Sequence, residues 1–295
     1  MTDGKARLGF GVSGPLGRKW FSEKKTQSLI GAALDGGVAY FDTAPFYGDA
    51  ESRLGRALRD AGAQGVFVST KTGTRRDGRG WAKDFSEVAI RRDVETSLAV
   101  LNRSCLDLLY LHGPTADQID RARPVLDALK REGLIRRAGV CGEGAAIDHA
   151  VKTRLDAVMT FYSVIDRRHA RVLSEAKAQG LMTTAIGPLA VGALDRRFAV
   201  PLSISDLWRT ARSVARRPYR AEAVAAARAA LRREDPAGTA LAFALANRDL
   251  DVVPTTTTKR RHLDHCLSAA RKPLAPDVLA SIQRLALTEG AAAPS

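Results

Sequence analysis

Cysteine is scarce in this 295-residue sequence, and no apolar run is long. The three cysteines, Cys105, Cys141 and Cys266, are odd in number and widely spaced, which excludes a disulfide framework and any recognisable metal-binding pattern. No apolar run approaches the roughly 20 residues that cross a membrane, and the N-terminal segment lacks the apolar core of a signal peptide. We therefore predict a cytoplasmic protein without a membrane partner or a bound metal.

Aromatic residues are also few, at 6% of the sequence, whereas positive charge is abundant. Lysine and arginine number 46 against 32 acidic residues, which gives a net charge of +14. This charge is compatible with a nucleic acid, an anionic cofactor, or an Arg- and Ala-rich composition alone. The sequence has no recognised nucleic-acid motif and few aromatic platforms for base stacking. We expect no nucleic-acid partner, and a salt-sensitive gel shift tests the alternative that the Arg-rich run 209–220 suggests.

Length and periodicity favour one large domain. The chain suits a (β/α)8 barrel, which takes about 250 residues, although two domains of about 150 residues remain possible. Eight short apolar runs alternate with segments of helical periodicity, which favours the barrel. The predicted strands are 7–12, 37–41, 66–70, 106–111, 137–141, 157–162, 181–186 and 250–254. We predict a single barrel over 1–295, with an Arg-rich mouth insertion at 196–220 and a flexible tail at 288–295.

A Gly-rich segment near the start, 9–14, formally matches the dinucleotide-binding pattern G-x-G-x-x-G. In that pattern the third glycine opens a helix. Here Pro15, Leu16 and Gly17 follow it, and a helical pattern with Ser22 as N-cap starts only later. We interpret the segment as a strand-to-loop turn of the barrel.

Chemically capable side chains lie at the ends of three consecutive predicted strands. Asp42 ends the first, and Tyr47 lies five residues further on, after a turn that Pro45 favours. Lys71 and His112 end the next two strands. The carboxyl ends of all barrel strands meet at one mouth, where barrel active sites are built. The pattern therefore predicts that these four side chains share one pocket.

Each of these side chains alone has an ordinary structural explanation, such as a surface tyrosine or a solvated lysine. Reduction of a carbonyl by hydride, however, needs an acid that protonates the developing alkoxide. A tyrosine, with a pKa of about 10, becomes a better acid when a nearby ammonium favours its phenolate. Lys71 could supply that charge, Asp42 could hold Lys71, and His112 could hydrogen-bond the substrate oxygen.

Three motifs, FDTAPFYG, STKTG and LYLHGP, occur in this order, each around the end of a predicted strand. With them the chain resembles the aldo-keto reductase family, from about residue 8 to about residue 273. The resemblance implies reversible, NADPH-dependent reduction of an aldehyde or ketone, with a tyrosine as general acid. By the same resemblance, the family's catalytic tetrad falls on Asp42, Tyr47, Lys71 and His112.

A basic junction follows the last predicted strand, in the sequence TTTTKRRHL from Thr255. A helix N-terminus with cations is suited to a phosphate, although a solvated helix start is the alternative. By resemblance, this junction holds the adenosine 2′-phosphate of NADP(H), and Gly187, Pro188 and Leu189 form the pyrophosphate loop. The candidate residues at the junction are Thr257, Thr258, Lys259 and His262, with Cys266 where the family usually has an adenine-contacting Asn.

Three places depart from the family pattern at the nicotinamide end of the cofactor. The family often has Ser-Asn where this chain has Cys141 and Gly142. It has a Gln where this chain has Met159, and a stacking aromatic where this chain has Ile186. The alternative function is therefore a catalytically weak or non-catalytic NADP(H)-binding barrel that acts as a regulatory subunit.

The substrate is predicted to be a small carbonyl or alcohol. Barrel substrates are selected by mouth loops, which are predicted here at 75–84, 115–120 and 196–220. Basic residues in these loops hint at an anionic or hydroxylated substrate. Candidates for lining the pocket are Trp20, Phe46 and Trp81.

Overall fold

The computed structural model describes residues 7–63, 65–78, 80–190, 221–231 and 235–285. The predicted insertion at 196–220 and the predicted tail at 288–295 lie outside these ranges. The strands within them are β1 (Arg7–Gly11), β2 (Tyr40–Asp42), β3 (Phe67–Thr72), β4 (Thr74–Asp77), β5 (Gly80–Lys83), β6 (Leu108–His112), β7 (Ala138–Cys141), β8 (Ala157–Phe161), β9 (Met182–Ile186) and β10 (Val252–Thr255). Eight of these run parallel and close into a barrel in the order β1-β10-β9-β8-β7-β6-β3-β2. The fold class predicted from the alternating pattern is confirmed.

Helices alternate with the barrel strands along the chain. They are α1 (Glu23–Asp35), α2 (Ala50–Asp60), α3 (Glu87–Leu101), α4 (Ala116–Arg131), α5 (Ala145–Lys152), α6 (Ala170–Ala178), α7 (Ala221–Ala230), α8 (Pro236–Leu245), α9 (Arg260–Ala270) and α10 (Pro276–Gln283). The predicted cap Ser22 accepts a hydrogen bond from a first-turn N–H group of α1, and Ser86 does the same at the start of α3. Periodicity does not predict α10, because its buried residues, Val278 and Ile282, span a single turn. Among the described residues, no helix is both long and apolar enough to cross a membrane.

Two segments predicted as mouth loops have regular structure instead. Most of 75–84 lies in the antiparallel hairpin β4–β5, whose turn contains Gly78 at a φ of 53°. Segment 115–120 begins α4, because Thr115 and Gln118 form a capping box through their side chains and backbone N–H groups. The expectation of an irregular backbone was wrong in both places, since cross-strand pairing and helix capping give these polar segments regular structure.

A small apolar cluster fills the inside of the barrel. Its buried members are Tyr40, Leu108, Tyr110, Cys141, Ala157, Met159, Met182 and Val252. Alternate residues of a strand point to the same side, so Asp42 and His112 share the inner face with Tyr40 and Tyr110. Asp42 and His112 both end their strands, so they lie at the carboxyl mouth of the barrel.

The Gly-rich segment after β1 does not open an α-helix. It leads into a short 3-10 turn, Gly14–Gly17, which agrees with its interpretation as a barrel turn. Thr256, after β10, donates a hydrogen bond to the carbonyl oxygen of Gly11 at 2.9 Å. This bond ties the neighbouring strands β1 and β10 together at the mouth.

Candidate active site

Lys71 and Asp42 form a buried ion pair on the neighbouring strands β3 and β2. The Nζ of Lys71 lies 2.7 and 2.6 Å from the two carboxylate oxygens of Asp42, and 2.9 Å from the carbonyl oxygen of Thr43. The side chain of Lys71 is 1% exposed. Burial disfavours its charged form, but the charge of Asp42 and the hydrogen bond to it outweigh burial and raise the pKa of Lys71. The ammonium is therefore a fixed positive charge at the mouth.

Tyr47 and His112 lie beside this ion pair. Tyr47 belongs to a 3-10 turn, Pro45–Tyr47, that follows β2. The Nζ of Lys71 lies 5.2 Å from the centroid of the Tyr47 ring. The His112 ring lies 6.1 Å from the Tyr47 ring, at an interplanar angle of 78°. The four side chains predicted to share one pocket are thus brought together.

A close backbone contact with Gly17 fixes the position of Tyr47. A Cβ added to Gly17 would lie 1.8 Å from the carbonyl oxygen of Tyr47, so a larger residue would force a shift there. Gly48, at a φ of 73°, approaches the carbonyl oxygen of Gly17. Asp49 donates its backbone N–H to that same oxygen at 2.9 Å. The turn that carries Tyr47 is therefore anchored to the loop after β1.

His112 is held in its neutral form. Burial, followed by the charges of Lys71 and Lys83, lowers the pKa of His112 to about 3. Its Nδ1 is buried and has no hydrogen-bond partner among the described residues. A neutral imidazole beside Tyr47 is suited to a hydrogen bond with a substrate oxygen.

A hydrogen-bonded chain that the sequence pattern did not single out supports Asp42 from inside the barrel. Ser69 donates to Oδ1 of Asp42 at 2.8 Å, and Tyr40 donates to the Ser69 hydroxyl at 2.8 Å. Burial, and then the charge of Asp42, raises the pKa of Tyr40, so its hydroxyl remains a donor. The sequence could have indicated this support for Asp42. Tyr40 and Ser69 precede Asp42 and Lys71, respectively, by two positions and so share their strand faces.

Arg53, on α2, is a second residue that the sequence pattern did not single out. It is 4% exposed, and its guanidinium donates to the carbonyl oxygens of Leu16, Phe21 and Arg18 at 2.8, 3.0 and 3.1 Å. These acceptors lie between β1 and α1, in the segment against which the Tyr47 turn packs. No local pattern reveals these contacts, because the partners are more than 30 residues away in sequence.

The predicted phosphate junction lies at the N-terminus of α9. Lys259 is the N-cap of this helix, and its side chain does not cap it. The first turn of α9 contains no acidic residue, and the hydroxyl of Thr257 accepts the backbone N–H of Lys259 at 3.2 Å. The hydroxyl oxygen of Thr258 is buried without a hydrogen-bond partner in the described part of the chain. His262 follows within the same helix, so these four candidates lie together.

The predicted pyrophosphate loop follows β9, next to β10 in the barrel. Gly187 has a φ of 63°, and its carbonyl oxygen accepts the backbone N–H of Ala190 at 2.8 Å. This hydrogen bond closes a tight turn around Pro188 and Leu189. The turn lies at the carboxyl mouth, on the strand beside the one that leads to α9.

The two remaining cofactor candidates are largely buried. Cys266, on α9, is 7% exposed, and burial raises the pKa of its thiol to about 11. Met159, on β8, is 3% exposed and lies opposite Cys141 in the register of β7 and β8. The Cys266 thiol is therefore neutral, and Met159 belongs to the floor of the mouth.

Comparison with known proteins identifies the family. The sequence matches the profile described as "Aldo/keto reductase family" over residues 7–287. The chain belongs to this family. Membership agrees with the resemblance drawn from the three motifs, and with the closed barrel of eight parallel strands.

Relatives of this aldo-keto reductase are distant in sequence. The uncharacterized oxidoreductase YqkF of Bacillus subtilis is 31% identical over 182 residues, which cover 59% of this chain and 59% of the relative. L-galactose dehydrogenase of Arabidopsis thaliana is 29% identical over 204 residues, which cover 63% of this chain and 62% of the relative. The chain thus spans about three fifths of the length of these curated relatives. Among solved structures, the holo form of an aldo-keto reductase from Bacillus halodurans has a TM-score of 0.79 at 28% identity, covering 96% of this chain and 93% of that one.

The positions where this aldo-keto reductase departs from the common family pattern lie side by side. Cys141 and Met159 belong to the cluster inside the barrel and Ile186 packs against it, on the successive strands β7, β8 and β9. Burial raises the pKa of the Cys141 thiol to about 12, so it is neutral. This side of the mouth is therefore apolar where the family commonly presents amides.

Proposed function

We propose that this chain is an oxidoreductase that transfers a hydride reversibly between NADP(H) and an aldehyde or ketone. The observation that carries the proposal is the cluster in which the Lys71 ammonium and the His112 ring lie 5.2 and 6.1 Å from the Tyr47 ring. Membership of the aldo-keto reductase family supports NADP(H) as the cofactor. A relative named L-galactose dehydrogenase supports a small carbonyl or alcohol substrate.

Tyr47 is the proposed general acid. Its hydroxyl would protonate the substrate oxygen as negative charge develops there, and the Lys71 ammonium would stabilise the phenolate that remains. Asp42 keeps Lys71 charged and in place. Neutral His112 would orient the same substrate oxygen through a hydrogen bond. When bound, NADPH would supply the hydride.

The junction before α9 is the proposed site of the 2′-phosphate. A helix N-terminus without an acidic first turn favours an anion, and the hydroxyl of Thr258, which has no partner among the described residues, fits a phosphate oxygen. Thr257, Lys259 and His262 are proposed to share this role. Residues 187–189 are proposed to hold the pyrophosphate, with Cys266 against the adenine and Met159 beneath the nicotinamide.

The alternative is a barrel that binds NADP(H) but turns over slowly or not at all and acts as a regulatory subunit. The observation that favours it is the apolar surface formed by Cys141 and Met159, which offers no side-chain amide to a nicotinamide carboxamide. The proposed proton donor and its supporting ion pair argue against it. In either case we propose a cytoplasmic protein.

A turnover assay separates the two candidates. Purified protein is mixed with NADPH and a panel of aliphatic aldehydes, aromatic aldehydes, ketones and sugars, and NADPH absorbance is followed over time. In parallel, NADPH binding is measured by protein fluorescence. Consumption of NADPH with any carbonyl, above a no-substrate control, supports the oxidoreductase. Tight NADPH binding with no consumption across the panel supports the non-catalytic alternative, and absence of both rejects the two candidates together.

A further inference from the structure

The outer edge of the candidate active site carries three cations. The Cζ of Arg76, on β4, lies 5.5 Å from the centroid of the Phe46 ring, which in turn lies 5.9 Å from the His112 ring. Lys83, on β5, donates to the carbonyl oxygen of Gly113, the residue after His112. The third cation follows the 3-10 turn after β1. We call these residues the mouth cations: Arg18, Arg76 and Lys83.

Arg18 and Arg76 are electrostatic neighbours although they come from different loops. Burial, followed by the charge of Arg76, lowers the pKa of Arg18. Arg53 holds the Arg18 backbone by donating to its carbonyl oxygen at 3.1 Å. Like charges repel, and an anion that contacts both guanidinium groups would remove that repulsion.

The mouth cations lack acidic partners in the described part of the chain. No carboxylate there lies within 4.0 Å of any of the three. Asp84, just after the same hairpin, is already engaged by the Arg75 guanidinium and the backbone N–H of Ser86. Deeper in the site, Asp42 neutralises Lys71. The described mouth therefore presents uncompensated positive charge around Phe46.

This charge is separate from the proposed phosphate sites. Arg18 follows β1, Phe46 follows β2, and Arg76 and Lys83 lie on the hairpin after β3. The proposed cofactor residues lie on β8, after β9 and around the start of α9. In the closed barrel, β3-β2-β1 and β10-β9-β8 form two successive arcs. An anion between Arg18 and Arg76 therefore belongs to the substrate side of the mouth.

We propose that the substrate is an aldehyde or ketone that carries a carboxylate, which Arg18 and Arg76 bind while its carbonyl faces Tyr47 and His112. This inference rests on the proposed function and names its substrate class. Guanidinium groups match the planar geometry of a carboxylate and form charge-assisted hydrogen bonds with it. Phe46, which contacts both Arg76 and His112, would pack against the body of the substrate that joins the two groups.

A matched pair of substrates tests directly whether the enzyme prefers a substrate with a negative charge. 4-Formylbenzoate and 4-formylbenzamide have nearly the same size, but only the first is an anion. The amide group withdraws electrons more strongly, so intrinsic reactivity favours the uncharged compound. We expect kcat/KM to be higher for 4-formylbenzoate by about 10-fold or more, the size of one charge-assisted contact. Equal values, or a preference for the amide, overturn the proposal.

Variants assign the preference to the two arginines. Arg76→Gln and Arg18→Gln should each lower kcat/KM for 4-formylbenzoate by about 3- to 30-fold, mainly through KM, and leave the amide nearly unchanged. Arg59→Gln, in the last turn of α2, is the control because it removes the same charge from an exposed site. A loss as large in Arg59→Gln as in Arg76→Gln overturns the proposal, since net charge alone then explains it. Lys83 is left intact, because its bond to Gly113 supports the strand end that carries His112.

A binding experiment keeps this test independent of turnover. Quenching of tryptophan fluorescence by 4-formylbenzoate and 4-formylbenzamide is titrated in wild type and Arg76→Gln, with NADP present. Tighter binding of the carboxylate in wild type, lost in the variant, supports the inference even if no carbonyl is reduced. If the amide is reduced in a Tyr47-dependent way and the carboxylate has no advantage, the proposed function stands and this inference is rejected.

Discussion

The ammonium of Lys71 directs its hydrogen bonds at Asp42 and the backbone beside it. It donates to both carboxylate oxygens of Asp42 and to the carbonyl oxygen of Thr43, which accounts for all three N–H bonds of an ammonium. Lys71 therefore has no further proton aimed at a substrate. Its proposed contribution is a fixed charge beside the Tyr47 ring.

The ion pair predicts an asymmetry between single and double substitutions. Asp42→Asn leaves the Lys71 ammonium buried without an anion, so it should lower the free energy of unfolding by about 3–5 kcal/mol. Asp42→Asn combined with Lys71→Met removes both charges and should recover much of that loss. Both variants should lose carbonyl reduction. Urea denaturation measures the stabilities, and a double variant less stable than Asp42→Asn would contradict the account.

The lowered pKa of His112 predicts a pH dependence of stability. The unfolded state binds a proton on this histidine below about pH 6.5, whereas the folded state binds it only near pH 3. The free energy of unfolding therefore falls as pH falls through this window, by up to about 1.4 kcal/mol per pH unit. The difference in unfolding free energy between wild type and His112→Gln should change between about pH 6.5 and about pH 4 and be constant above about pH 7.5. A difference that stays constant down to about pH 4 would show that His112 titrates normally.

The contact between Gly17 and Tyr47 predicts a catalytic effect from a substitution that touches no substrate. In Gly17→Ala, the new Cβ would meet the Tyr47 carbonyl oxygen, so the Tyr47 turn must shift. A displacement of about 1 Å can cost about 100-fold in rate, so we expect a large fall in kcat with NADPH binding retained. The control is Gly31→Ala on α1, where an added Cβ meets nothing within 4 Å. That variant should keep full activity and gain up to about 1 kcal/mol of stability. Equal kcat in both variants would show that the contact does not position Tyr47.

The basic junction before α9 predicts a preference for NADPH over NADH. A charge-assisted contact with the 2′-phosphate contributes about 1.5–3 kcal/mol, or roughly 10- to 150-fold in affinity. Lys259→Ala should reduce the preference and scarcely alter NADH binding. Fluorescence titration with each cofactor at fixed ionic strength measures it, because the contact is salt-sensitive. Equal dissociation constants for the two cofactors in wild type would reject the phosphate assignment.

Local sequence signals predicted the features that depend on local structure. The ends of β2, β3 and β6 follow from short apolar runs, so Asp42, Lys71 and His112 could be assigned to one mouth before their distances were known. The caps Ser22 and Ser86 follow from residue type and position. Strand periodicity also places Tyr40 and Ser69 on the same strand faces as Asp42 and Lys71. Their hydrogen bonds were not predicted, because both residue types are ordinary in a core.

Features that depend on contacts between distant segments could not be predicted in this way. Gly17 belongs to no recognisable motif. A glycine is needed there because the Tyr47 carbonyl oxygen approaches it from the next loop. The Arg53 side chain has the sequence context of a surface arginine on a charged helix. The hairpin β4–β5 is stabilised by cross-strand pairs in a segment whose polar composition, with several glycines, favoured a loop.

The central claim is that Tyr47 is the general acid. It is tested most directly by single-turnover reduction of an aldehyde by the Tyr47→Phe variant with NADPH bound. The substitution removes the proposed acid and leaves the proposed phosphate sites untouched. We predict that the hydride-transfer rate with a good aldehyde substrate falls by about 10²- to 10⁴-fold, while the dissociation constant of NADPH stays within about twofold of wild type. A Tyr47→Phe variant that reduces the aldehyde at the wild-type rate would contradict the account, because the proton would then come from another group.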